Sequence, residues 1–178
     1  MLLLVVDMQK GLFTQETPRF DTKGVVERIN KLIDKVRANW GKIIFIQHDG
    51  PAGDVLEPQT PGWELLEDLN RDYVDTIIRK TACDAFLDTP LLDTIRSFGD
   101  NQIIITGCAT DFCVDTTIRS ATSKGLDVTV ARDAHTTADR PHLDAETIIR
   151  HHNWSWENLI LSCGSLRVLS TDKIIEAL

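Results

Sequence analysis

Five short apolar runs recur along this chain: Leu2–Val6, Lys42–Gln47, Val74–Ile78, Gln102–Thr106 and Leu126–Val130. Runs of this length, rich in aliphatic and β-branched residues and lacking polar alternation, fit strands buried on both faces. Between the first two, Val25, Ile29, Leu32, Ile33, Val36 and Trp40 form a stripe of helical period that Gly41 closes. Leu91, Leu92, Ile95 and Phe98 space as a second helix, and the stretch from about Thr110 to Gly125 as a third. Pro141 suits the start of another, running through Ile148 and Ile149 to about His152. Leu159–Leu161 reads as a sixth strand and Thr171–Leu178 as a short terminal helix. Strands that alternate with helices pair parallel and need cover on both faces. The expected fold is one α/β domain over residues 1–178, a three-layer α/β/α sandwich on a mostly parallel Rossmann-like sheet of about six strands.

The charge balance narrows the partners. Asp and Glu number 27 against 19 Lys and Arg, a net charge of −8 with no basic cluster, which argues against nucleic acid and anionic membranes. No apolar run approaches the ~20 residues that span a bilayer. Leu2–Val6 lacks a basic flank and a cleavage site, so it reads as a first strand and not as a signal peptide. A cytoplasmic location is expected, where Cys83, Cys108, Cys113 and Cys163 persist as free thiols. They have no C-x-x-C spacing and no paired histidine motif, so neither a zinc site nor a disulfide framework is indicated.

Chemistry concentrates in Gly107-Cys108-Ala109-Thr110-Asp111-Phe112-Cys113-Val114, where a strand ends, turns sharply and gives way to a helix. In open α/β sheets, ligands bind at the carboxyl ends of the strands. A cysteine in the first helical turn there meets free N–H groups and a positive dipole end, which favour thiolate. Cys113 is thus a candidate nucleophile, although a cysteine in such a place also serves as a small buried hydrophobe. Cys108 precedes the helix and is expected to pack beneath the turn; Asp111 is expected to point away from the thiol.

Two other strand ends carry charge: Asp7 after the first and Lys80 after the third. Brought into one crevice with Cys113, they supply what a thiol nucleophile needs, a base for its proton and a cation to balance charge. Apart, Asp7 reads as a cap or loop hydrogen bonder and Lys80 as a solvated strand end.

Four stretches then match a known pattern in order: Val6-Asp7-Met8-Gln9 with Phe13 following, Gln47-His48 after the second strand, Lys80 with Ala85-Phe86, and Gly107 to Val114. Over nearly its whole length the chain resembles the isochorismatase-like cysteine hydrolase superfamily. The resemblance implies an Asp7–Lys80–Cys113 triad, a cis peptide before Ala109, and an oxyanion hole made by the N–H groups of Ala109 and Cys113. It also implies a homodimer or higher homo-oligomer. Nicotinamidases of the superfamily hold a metal through an Asp-x-His and a further histidine. Here the matching segment is Gln47-His48-Asp49-Gly50, so no metal and no other cofactor is expected. Superfamily members that cleave a vinyl ether work without the cysteine, so Cys113 favours hydrolysis of an amide, urea or carbamoyl C–N bond through a thioester. A vinyl-ether hydrolase and a non-catalytic metabolite-binding member are the alternatives.

The expected partner is a small-molecule substrate. Phe13, His48, Trp63 and Phe86 are candidate pocket residues, with His48 as wall and not as ligand. Residues 49–62, rich in Gly and Pro, form either a lid or a surface excursion. His135, at a strand end, is the rival base to Asp7.

Overall fold

The computed structural model describes all residues, Met1–Leu178. Six parallel strands form one sheet: β1 (Leu2–Val6), β2 (Lys42–His48), β3 (Thr76–Lys80), β4 (Gln102–Cys108), β5 (Asp127–Thr136) and β6 (Ser165–Leu169), in the order β3-β2-β1-β4-β5-β6. Five helices cover it: α1 (Thr22–Ala38), α2 (Leu91–Ser97), α3 (Asp115–Ser123), α4 (Ala145–Glu157) and α5 (Thr171–Ala177). Alternate β1 residues face opposite layers. Leu2, Leu4 and Val6 join a core with α2, α3 and Trp156 of α4, while Leu3 and Val5 join one with α1 and Ile174 of α5. Strand β1 is therefore apolar throughout, and the expected three-layer α/β architecture is what forms.

Differences from the sequence expectation fall at the sheet edges and helix ends. On edge strand β3, the strand starts at Thr76 and not Val74; Tyr73 and Val74 lie exposed before it, so Lys80 is its last residue. The sixth strand is Ser165–Leu169, not Leu159–Leu161. Helix α4 continues to Glu157, which leaves 159–161 as the chain leaving that helix, with Ile160 fully in solvent. Its start is Ala145 and not Pro141, because the Asp144 carboxylate accepts from the Thr147 N–H at 2.7 Å and caps the helix. Trp40 leaves the stripe of α1: the helix ends at Ala38, the backbone turns left-handed at Trp40 (φ 60°), and the ring is exposed. Segment 49–62 is neither strand nor helix but is tied down. Gly50 N–H donates to Leu56 O, Gly11 N–H to Gly62 O, and Leu56 is buried.

The switch in strand order lies between β1 and β4, where Val6 stands in register with Gly107. Gly107 has φ +119°, and a Cβ there would lie 2.1 Å from Val6 O. No other residue fits this close approach of two strands. Gly107→Ala is expected to lower unfolding free energy by about 1 kcal/mol or more, read by urea denaturation. An unchanged midpoint would contradict the packing described.

Candidate active site

Asp7 directly follows β1, in a left-handed backbone conformation (φ 47°) that is uncommon for a non-glycine residue and recurs at functional sites. Lys80 ends β3 and stands in register with His48 at the end of β2. Its side chain crosses that strand end to reach Asp7. Cys113 lies in a π-helical turn, Thr110–Val114, interposed between β4 and α3. The turn is closed by the Phe112 and Val114 N–H groups, both donating to Ala109 O at 3.1 Å.

All three side chains meet. The Lys80 ammonium lies 2.7 Å from Asp7 Oδ2 and 3.3 Å from Cys113 Sγ. It also lies 2.9 Å from Ala82 O and 3.1 Å from His48 Nδ1. The Lys80 side chain is 0% exposed and that of Asp7 2%, so this ion pair is wholly inside the protein. Asp7 Oδ1 is buried and has no partner. A buried carboxylate oxygen left unpaired is costly, and calls for a functional explanation. Asp7, His48 and Cys113 offer ligand atoms within 4.8 Å of one another, yet the Lys80 ammonium touches all three residues. The cluster is arranged around a cation that belongs to the chain itself.

Burial pushes the Asp7 carboxyl above its ordinary value, against the opposing pull of Lys80. Burial alone would lower Lys80, but the Asp7 charge and its hydrogen bond oppose this and help hold the ammonium protonated. Burial, then the neighbouring Asp7 charge, raise the Cys113 thiol well above the usual range. This opposes the expected pull of the helix start toward thiolate: the sulfur packs against the core beside a carboxylate. Cys108 is completely buried and its thiol is pushed up to about 12 by desolvation. Cys83 is half-buried and Cys163 exposed.

The peptide bond between Cys108 and Ala109 is cis. The Ala109 N–H makes no backbone hydrogen bond. Asp111 turns aside from the thiol onto Arg140, at 2.8 and 3.0 Å, and onto the Thr137 hydroxyl at 2.6 Å.

Of the four expected pocket residues, His48 lies within hydrogen-bond distance of the Lys80 ammonium. Phe13 packs against the α1-side core. The Trp63 indole N–H donates to Asp49 Oδ1 at 2.8 Å, and its ring lines a surface groove of about 570 Å³ that includes none of Asp7, Lys80 and Cys113. Phe86 is 7% exposed, in the same core that Cys113 leans on, with the Lys124 ammonium 5.2 Å from its ring centre. Its ring is thus largely taken up in the core.

Gln9 emerges as a strut that sequence reasoning leaves without a role. Its Nε2 donates to the carbonyls of His48 and Trp63, both at 2.9 Å, and its Oε1 accepts from the His48 N–H at 2.8 Å. The signal for it in the sequence is its place in the Val6-Asp7-Met8-Gln9 stretch.

His135 is not a base for the thiol, since both ring nitrogens are engaged elsewhere. Nε2 faces Asn153 Oδ1 at 3.1 Å and Nδ1 faces the Thr110 hydroxyl at 2.9 Å. Asn153 Nδ2 donates to Arg132 O, which leaves its oxygen for His135. The imidazole therefore carries its proton on Nε2 and accepts from Thr110. Complete burial lowers its pKa to about 4.

The fold is that of an open, doubly wound α/β protein with polar side chains gathered where the strand order reverses. The family model for the isochorismatase domain matches residues 1–163, and the chain belongs to the isochorismatase family of hydrolases. A crystal structure of an isochorismatase family protein, 33% identical, superposes with a TM-score of 0.87 over 95% of this chain and 97% of the other. Streptothricin hydrolase of Streptomyces noursei is 34% identical over 139 residues, 78% of this chain and 55% of that protein. The chain thus spans about half the length of that relative. The ureidoacrylate amidohydrolase of Serratia proteamaculans (strain 568) is 26% identical over 153 residues, 66% of this chain and 62% of that protein.

The depressed His135 value carries a stability prediction. The unfolded histidine binds a proton near pH 6.5 while the folded one stays neutral to about 4. Its contribution is complete above that upper value and is lost as pH falls between the two. Up to roughly 3 kcal/mol should disappear across this window. In chemical denaturation, His135→Gln is expected to flatten the acid slope relative to wild type; parallel slopes would contradict it.

Proposed function

We propose that the protein hydrolyses a C–N bond of a small amide, urea or carbamoyl compound through a thioester on Cys113. The observation that carries this reading is the buried Lys80 ammonium set between Asp7 Oδ2 and Cys113 Sγ, with Asp7 Oδ1 left without a partner. A base of raised pKa next to a thiol of raised pKa suits proton transfer in step with attack, rather than a thiolate waiting in the site.

The sulfur attacks the carbonyl carbon as its proton passes to Asp7 Oδ1, and the carbonyl electron pair moves onto oxygen. The N–H groups of Ala109 and Cys113 are the assigned donors to that oxyanion; the absence of any backbone acceptor for the Ala109 N–H supports the first. Collapse breaks the C–N bond, and the leaving nitrogen takes the proton from Asp7. Water then attacks the thioester, giving a proton to Asp7. The C–S bond breaks and the sulfur recovers that proton. Lys80 stays charged throughout and offsets negative charge on Asp7 or sulfur. The name of the amidohydrolase relative supports the bond type. The family itself also leaves room for cleavage of a vinyl ether.

A screen with small amides, ureas, N-carbamoyl amino acids and isochorismate tests the reading. Turnover of a C–N substrate is expected, with Cys113→Ala lowering kcat at least about 10³-fold while the fold is kept. Turnover of isochorismate alone, or activity retained in Cys113→Ala, would overturn it. Because Asp7 must be ionised and its pKa is raised, kcat/KM should fall with acid along a limb lying above the ordinary aspartate value of about 3.9. A limb at or below that value would contradict the assigned base.

A further inference from the structure

The Lys80 ammonium has four acceptors around it and three protons to give. Its neighbours are Asp7 Oδ2 at 2.7 Å, Ala82 O at 2.9 Å, His48 Nδ1 at 3.1 Å and Cys113 Sγ at 3.3 Å. An ammonium donates three hydrogen bonds and accepts none. One neighbour must therefore go without.

The carboxylate and the carbonyl have the strongest claims. The Asp7 contact is a buried, charge-assisted ion pair, and a carbonyl can only accept. A ring nitrogen facing an ammonium must present its lone pair, so His48 accepts at Nδ1 and carries its proton on Nε2. A thiol can instead donate its own hydrogen, and Asp7 Oδ1 is free to receive it. At rest the three ammonium protons are thus used by Asp7, Ala82 and His48. As its proton leaves and negative charge develops on sulfur, the sulfur must accept, and His48 holds the least costly bond to surrender: it is neutral, half-buried and the longest of the three.

We infer that His48 is a positioning residue that holds the third ammonium proton of Lys80 off Cys113 in the resting protein and yields it as negative charge develops on sulfur. The inference rests on Cys113 being the nucleophile. It assigns His48 a part in setting when the sulfur becomes reactive, beyond forming a wall of the site.

The charged and titratable groups around these atoms come from several elements. Asp7 after β1, Lys80 at the end of β3 and Cys83 in the following loop face Cys113; Lys80, Asp7, Asp49 and Asp54 bear on His48. Of these, His48 alone competes with sulfur for a Lys80 proton and is itself uncharged. Substituting its side chain leaves the strand end in place, because Gln9 holds the His48 backbone by both its N–H and its carbonyl.

The test is the pH profile of iodoacetamide modification at Cys113, followed by peptide mass so that Cys83 and Cys163 are counted apart. In His48→Leu the third proton turns to sulfur permanently, and Cys113 should react roughly tenfold faster at neutral pH, with its profile displaced to lower pH. His48→Asn, whose side-chain oxygen offers an acceptor near the position of Nδ1, should return the wild-type profile. Rate and profile unchanged in His48→Leu, including absence of modification in both proteins, would overturn the inference. So would an Asn variant that behaves as Leu. Turnover is not read in this experiment, so its failure is distinct from retained activity in Cys113→Ala, which would overturn the proposed reaction.

Discussion

A lysine ammonium with no exposed surface is the constraint on which the site depends. Inside a protein such a charge must be answered by an opposite charge and by hydrogen bonds, and removing one partner of a buried pair typically costs about 3–5 kcal/mol. Asp7, Ala82, His48 and Cys113 provide that environment, and they come from the ends of β1 and β2, the loop after β3 and the turn after β4. The sheet can satisfy Lys80 only if all these segments stop at the same level. That explains why Gly107 must let β4 approach Val6 so closely, and why Gln9 locks the end of β2.

The same burial sets the acid–base character. Desolvation raises both the Asp7 carboxyl and the Cys113 thiol, which makes the carboxylate a stronger base and the thiol a weaker acid than their exposed counterparts. Such a pair holds the sulfur inactive until a carbonyl is present to accept its electrons. Activation by a helix dipole would instead keep a standing thiolate, exposed to oxidation and alkylation. Burial and a neighbouring carboxylate work against the dipole here.

How legible these features are in the sequence depends on burial. The central strands β1 and β4 are readable because both faces are covered and nearly every residue is buried and apolar. Edge strands β3 and β6 mix exposed and buried positions, so Val74 and Ile160 mislead by composition alone. Trp40 continues a helical phase after the backbone has already left the helix. Asp7, Lys80 and Cys113 are visible as polar residues where strands end. The protonation of the sulfur is not visible, since it depends on the solvent excluded by distant segments. Nor is the packing that sends Phe86 into the core and Trp63 to a separate groove.

The most direct test of the central claim, that one buried unit of Asp7, Lys80 and Cys113 carries out covalent hydrolysis, is mass spectrometry of the protein quenched during turnover of a slow substrate. An acyl or carbamoyl mass on the peptide containing Cys113 is expected, absent when Asp7 is replaced by Asn. Turnover with no adduct on Cys113 while the adduct forms on another cysteine, or an adduct undiminished in Asp7→Asn, would contradict it.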